Sequence, residues 1–135
     1  MKHLHKIFAL SVLLIYGFMN AQLDTLNYLK QFEANKTNYV GQPFSKLLSD
    51  MTQIQPKTAW SSSKGHKKIL IAATRFKFCD MDYSFHNAIV LWIQWQEEIP
   101  LDKTQYYEQK NNFYFTNDEK NFYGNKIIKD IKVFR

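Results

Sequence analysis

The sequence contains little of what identifies most enzymes. Cys79 is the one cysteine among 135 residues, so the chain forms no internal disulfide. Its four glycines stand singly, which excludes a glycine-rich phosphate loop, and neither an HExxH nor a GxSxG pattern occurs. These absences exclude the motifs of nucleotide-binding proteins, zinc peptidases and serine hydrolases. Without disulfides, the chain depends on its hydrophobic core for stability.

The longest apolar stretch lies at the N-terminus and has the pattern of a secretory signal peptide. Lys2 and Lys6 precede an apolar run over residues 7–19, and the small residue Ala21 follows it. This run is shorter than the roughly 18 apolar residues that a membrane-spanning helix needs. We therefore predict cleavage after Ala21, which removes residues 1–21, and export of the product to the periplasm or out of the cell.

The rest of the chain, residues 22–135, predicts a single domain without repeats or linkers. The whole chain has a net charge of +6, and the loss of Lys2 and Lys6 leaves 16 basic against 12 acidic residues, a net charge of +4. This modest excess is typical of a solvated surface, and we expect no nucleic-acid partner. We also expect no transmembrane segment after signal cleavage and no cofactor.

Residue patterns in this domain predict two N-terminal helices followed by a mostly antiparallel sheet of about four strands. Apolar residues at helical spacing predict helices over 24–35 and 43–52. Runs rich in β-branched and aromatic residues predict four strands. The first starts at Thr58, the next two cover 67–78 and 87–96, and the last lies at the end of the chain. This order of elements is typical of an α+β domain.

A hairpin between the two best-defined strands sets the surroundings of the segment CDMDYSFH. Pairing residue 75 with residue 90 gathers most strong apolar side chains on one face. That core face carries Leu70, Ala72, Phe76, Phe78, Ile89, Leu91, Ile93 and Trp95. The more polar face carries Ile69, Ile71, Arg75, Lys77, Cys79, His86, Val90, Trp92 and Gln94. In this register Cys79 and His86 lie opposite each other.

Three interpretations of CDMDYSFH follow. The first is a metal site formed by Cys79, Asp80, Asp82 and His86. These residues lack the paired Cys and His ligands of structural zinc sites and offer too few oxygen atoms for a calcium loop, so we expect no metal. Cys79 and His86 form a candidate reactive pair, but nothing in the sequence supplies an orienting third group. The third interpretation, which we favour, is a turn in which Asp80, Asp82 and Ser84 bond to local backbone.

A long polar and aromatic connection follows Pro100. Seven aromatic residues occur between Tyr106 and Tyr123, interleaved with Asn and Gln. We expect the phenylalanines to pack against the sheet and the tyrosines to lie on the surface, where aromatic rings bind proteins or carbohydrates. The predicted contact residues are Trp92, Tyr106, Tyr107 and Tyr114.

Three segments carry a resemblance to known proteins: the leader ending Asn-Ala-Gln, GQPFSKLL and IIKDIKV. With them the chain loosely resembles small uncharacterised exported proteins of Gram-negative bacteria. The helix–helix–sheet order is also similar to that of small periplasmic inhibitor and outer-membrane-assembly domains. The resemblance implies an envelope or secreted protein and supplies no catalytic residue.

The leading hypothesis is a non-enzymatic protein-binding domain of inhibitor, immunity or envelope-accessory type. Its partner would be another envelope or secreted protein. A carbohydrate-binding module that uses the aromatic residues of 106–123 is the first alternative. An enzyme built on Cys79 and His86 is the second.

Overall fold

The computed structural model describes residues 23–135, and the predicted signal peptide lies outside them. The elements in chain order are α1 (Thr25–Ala34), α2 (Phe44–Asp50), β1 (Thr58–Lys64), β2 (Lys67–Lys77), β3 (Val90–Pro100), α3 (Leu101–Lys110), α4 (Asn117–Gly124) and β4 (Ile128–Phe134). The strands form one antiparallel sheet in the order β1-β2-β3-β4. The predicted α+β class, with two N-terminal helices before the sheet, is confirmed.

The two N-terminal helices follow from local sequence signals. Asp24 caps α1, because its carboxylate accepts a hydrogen bond from the backbone N–H of Asn27 at 3.2 Å. Pro43 precedes α2 in extended conformation, and the apolar stripe of that helix is buried as predicted. Its buried members are Phe44, Leu47 and Leu48, followed by Met51 just after the helix.

The long connection after Pro100 was the main error of the prediction, because it contains two helices. α3 follows directly after β3, and α4 begins at a capping box formed by Thr116 and Glu119. The Thr116 hydroxyl accepts from the N–H of Asp118 at 3.1 Å, and the Glu119 carboxylate accepts from the N–H of Thr116 at 2.8 Å. These bonds satisfy N–H groups that the first turn of a helix leaves unpaired.

The hydrophobic core lies between the sheet and a single layer of helices. α1 packs against β4, α3 packs against β1, β2 and β3, and α2 packs against α4. Phe76 is central, with its ring stacked on Phe44 at 4.7 Å and in edge contact with Tyr123 at 5.5 Å. The Trp95 indole N–H donates to the Thr74 hydroxyl at 2.9 Å, which satisfies both buried polar groups.

The central hairpin differs from the predicted register by two residues. Arg75 pairs with Trp92 instead of residue 90, and an irregularity lies between Ile71 and Ala73. An even shift leaves every side chain on its predicted face, but the irregularity reverses the faces beyond it. Ile71 is therefore buried opposite Ile99, although it was predicted on the polar face.

Candidate functional site

The sheet face opposite the helices carries a line of alternating aromatic and cationic side chains, one from each strand. Trp60 pairs with Arg75, Arg75 with Trp92, and Trp92 with Lys132. Directly paired residues in a sheet point to the same face. We call these four residues the Trp–cation row. The helices described in residues 23–135 pack on the other face of the sheet, whereas Phe113 and Phe85 contact the row at Trp60.

One end of the row combines a tryptophan with two cations. The Nζ of Lys132 lies 5.0 Å from the centre of the Trp92 ring, which is within the range of a cation–π contact. Arg75 is exposed beside Trp92, and its guanidinium forms no hydrogen bond or ion pair with the described residues. This part of the face therefore presents a half-buried aromatic ring beside a guanidinium that is free to bind.

Trp60, at the other end of the row, is held on several sides. Its ring stacks on Phe113 with 4.3 Å between centroids, and the edge of Phe85 contacts it at 5.5 Å. Its indole N–H donates to the Thr58 hydroxyl at 3.0 Å, and the Nζ of Lys77 lies 5.0 Å from the ring centre. These contacts fix the orientation of Trp60 before any ligand binds.

A strained turn after α3 places the stacking partner of Trp60. Asn112 and Phe113 have φ angles of 51° and 65°, a left-handed conformation that costs a residue with a side chain about 1–2 kcal/mol. The chain then runs along the edge of β1, where the Ala59 N–H donates to the Phe113 carbonyl at 2.9 Å. This pairing covers part of the sheet edge and holds the Phe113 ring against Trp60.

Lys77 fixes the loop between β2 and β3 against the same face. Its ammonium donates to the Ser84 carbonyl at 2.5 Å and lies 5.8 Å from the centre of the Phe85 ring. Burial lowers the pKa of Lys77, an effect that nearby Cys79 opposes and the neighbouring positive charge of Arg75 strengthens. Two cations on adjacent outward positions of β2 therefore repel each other without a carboxylate between them.

The helix layer carries a second aromatic surface, at the junction of α3 and α4. The rings of Tyr106 and Tyr107 meet edge to face at 5.0 Å, and Tyr107 contacts Phe122 at 4.7 Å. With Asp102 and Lys103 they line an open cavity of about 450 Å³. We call these five residues the aromatic cleft. It joins exposed ring surface to a carboxylate and an ammonium.

Polar contacts between α3 and α4 hold the two helices at this junction. The Asn111 side-chain amide donates to the Glu119 carboxylate at 2.7 Å and to Asp118 at 3.2 Å. Lys110 forms an ion pair with Asp118 at 3.0 Å, which raises the pKa of Lys110 and lowers that of Asp118. The geometry of the cleft therefore depends on buried and surface polar contacts together.

The four predicted contact residues lie in three different places. Trp92 belongs to the Trp–cation row, whereas Tyr106 and Tyr107 belong to the aromatic cleft on the helix layer. Tyr114 lies at the edge of β1, where it forms an isolated bridge with Thr58 and is 44% exposed. The structure thus brings Tyr106 and Tyr107 together and places Trp92 on the opposite face of the molecule.

The segment CDMDYSFH forms a turn that lies outside both strands. A short 3₁₀ turn spans Met81–Tyr83, and the Ser84 hydroxyl donates to the Met81 carbonyl at 2.7 Å, a local bond of the predicted kind. Asp80 instead pairs with Lys57, whose Nζ lies 3.1 Å from its carboxylate. The segment is a turn as predicted, but of the three side chains expected to bond to local backbone Ser84 alone does so within the described residues, because Asp80 pairs with Lys57 and Asp82 forms no such bond.

Cys79 and His86 line the same cavity, at the end of the sheet near the start of α1. The cavity has a volume of about 260 Å³, and its other lining residues include Thr25, Tyr83 and Arg135. Cys79 is half-buried as a free thiol, and His86 is exposed. In residues 23–135, no three His, Cys, Asp or Glu side chains are grouped so as to hold a metal ion.

Three members of the Trp–cation row were not predicted as contact residues. The alternation along β2 and β3 had placed Arg75 on the same face as Trp92. Trp60 and Lys132 could not be added, because neither the order of the strands nor the register of the outer pairs was predicted. The shared face of the four residues emerges from three strand pairings together.

Comparisons with known proteins give this chain no relative. No protein-family model matches it, and neither a curated protein nor a solved structure is significantly similar to it. Among the helices between residues 23 and 135, none combines the length and apolar character needed to cross a membrane. Function is therefore inferred from the geometry of the described residues.

Proposed function

We propose that this chain is a non-enzymatic domain that binds another protein through the outer face of its sheet. The observation that carries the proposal is the Trp–cation row, which places Trp60, Arg75, Trp92 and Lys132 side by side on the sheet face opposite the helices. Tryptophan and arginine, together with tyrosine, are the residue types most enriched at the energetic centres of protein interfaces. The signal-peptide pattern supports a partner in the cell envelope or among secreted proteins.

The magnitude expected from Trp92 is that of an interface hot spot. A half-buried tryptophan can still lose roughly 100 Å² to a partner, which at about 25 cal/mol per Å² is worth about 2.5 kcal/mol. Because Trp92 is on a central strand and in contact with Lys132, its orientation costs little entropy on binding. An inhibitor, an immunity protein and an envelope-accessory protein all require a rigid surface of this kind.

Affinity capture with matched variants tests the proposal. The tagged protein, expressed from its full sequence, is incubated with envelope and secreted fractions, and the retained proteins are quantified by mass spectrometry. We expect one partner whose recovery falls by about tenfold or more with Trp92→Ala. Tyr106→Ala, an exposed aromatic truncation on the helix layer, is the control and should leave recovery unchanged. Equal recovery with both variants would show that the partner does not bind through the outer face of the sheet.

A carbohydrate-binding module is a second candidate, and the aromatic cleft favours it. Exposed tyrosine rings stack on the apolar faces of sugars, while Asp102 and Lys103 supply an acceptor and a donor for hydroxyl groups. A glycan panel tests this candidate, with Tyr106→Ala as the disabling variant and Trp92→Ala as the control. The absence of binding at millimolar sugar would exclude it.

A further inference from the structure

We infer that the outer sheet face recognises an acidic segment of its protein partner, an inference that rests on the proposed function. The ligand chemistry is carboxylate groups on a polypeptide. The Arg75 guanidinium and the Lys132 ammonium are the recognising groups, and the two tryptophans supply the apolar surface between and beside them.

The charge of the face is the first reason for this inference. In the Trp–cation row and the paired positions two residues away on either side of it, the charged residues are three cations, Arg75, Lys77 and Lys132, and one carboxylate, Asp130. The charge of Asp130 is already matched, because the Nζ of Lys36 lies 2.7 Å from its carboxylate. The excess of positive charge at these positions favours a negative partner and speeds the encounter with it.

The occupied ring faces favour a polypeptide over a nucleic acid. Single-stranded nucleic acids bind by stacking bases on open aromatic faces. Trp60 is stacked on Phe113 and contacted by Lys77, and Trp92 carries the ammonium of Lys132 over its ring. The tryptophans therefore offer edges and partly covered faces, which suit aliphatic and acidic side chains better than bases.

The spacing of the cations suits an extended segment. Arg75 and Lys132 lie on β2 and β4, two strands apart, which corresponds to about 10 Å across a sheet. Two carboxylates three residues apart in a polyproline II segment, which has three residues per turn and rises about 3.1 Å per residue, lie on one side of the chain about 9 Å apart. Arg75 can take one carboxylate in a two-pronged contact and Lys132 the other, with Trp92 between them.

The test measures binding of two fluorescent peptide pools to the full-length product by anisotropy. One pool is rich in Asp and Glu, and the other carries Asn and Gln at the same positions. Arg75→Glu and Lys132→Glu reverse charges on the face, while Lys120→Glu makes the same change on an exposed residue of α4 as a control. Circular dichroism confirms that each variant is folded.

The acidic pool should bind at least about tenfold more tightly than the amide pool, and added salt should weaken it. Arg75→Glu and Lys132→Glu should each reduce that affinity by about tenfold, and Lys120→Glu by less than about twofold. Equal binding of the two pools, no binding of the acidic pool, or tighter binding of single-stranded DNA would overturn the inference. If the acidic-peptide inference failed in one of these ways, loss of partner capture with Trp92→Ala would still support the proposed protein-binding function. The failure of the inference can therefore be told apart from the failure of the proposed function.

Discussion

The α3–α4 junction allows a quantitative test of how this domain is stabilised. Glu119 is only 3% exposed, and its carboxylate accepts hydrogen bonds from the Thr116 N–H at 2.8 Å, the Thr116 hydroxyl at 2.5 Å and the Asn111 amide at 2.7 Å. Replacement by alanine removes the capping box and leaves the Asn111 amide without that acceptor. Loss of a cap costs about 1 kcal/mol, and hydrogen bonds to a buried charge add about 2 kcal/mol.

We therefore expect Glu119→Ala to lower the free energy of unfolding by about 3 kcal/mol and Tm by about 12 °C. Glu119→Gln keeps the backbone bond of a capping box and should cost about 1 kcal/mol. Urea and thermal unfolding followed by circular dichroism measure both changes. The exposed carboxylate of Glu97 is the control, and Glu97→Ala should change stability by less than about 0.5 kcal/mol. If Glu119→Ala were no more destabilising than Glu97→Ala, the assigned role of the capping box would be wrong.

Three further predictions concern the loop, the β4 edge and the thiol. Lys77→Met keeps apolar contact with the rings but loses both the cation–π contact with Trp60 and the bond to the loop carbonyl. Urea unfolding should therefore show a loss of about 1–2 kcal/mol, and no loss would contradict that role. Burial raises the pKa of Asp130, but the ammonium of Lys36 and a backbone N–H together lower it by more, so that the pKa lies below the usual 3.8. A carboxyl pKa that is lower in the folded protein adds stability at neutral pH, and this stability is lost on acidification. Between about pH 7 and about pH 3 the unsubstituted protein should therefore lose more stability than the variant Asp130→Asn. An equal loss in the two proteins would refute this prediction. Iodoacetamide should alkylate half-buried Cys79 faster in urea than in the folded protein, with no effect of His86→Ala on the folded rate; a slower rate in that variant would instead support a Cys–His enzyme.

Local signals allowed the N-terminal helices and the strands to be predicted, because each rests on residues near in sequence. The apolar stripe of α2 and the cap at Asp24 are of this kind. α3 and α4 were missed because their aromatic and amide residues suggested an exposed connection. The sequence did contain a usable signal, since Thr116 and Glu119 have the spacing of a capping box.

The candidate surface was less predictable, because it depends on long-range pairing. The irregularity between Ile71 and Ala73 changes the register of β2 and β3, and no local pattern identifies it. Trp60 and Lys132 lie far apart in sequence and reach one face only through β2 and β3 between them. Sequence patterns could therefore indicate Trp92 as a contact, but not the row to which it belongs.

Site-specific photocrosslinking in the native host tests the central claim most directly. A photoreactive amino acid replaces Arg75 on the outer face or, as a control, the exposed Ser49 on α2. The account predicts that the probe at position 75 crosslinks a distinct protein in the envelope or secreted fraction and that the probe at position 49 does not. A partner captured equally from both positions, or from position 49 alone, would contradict it.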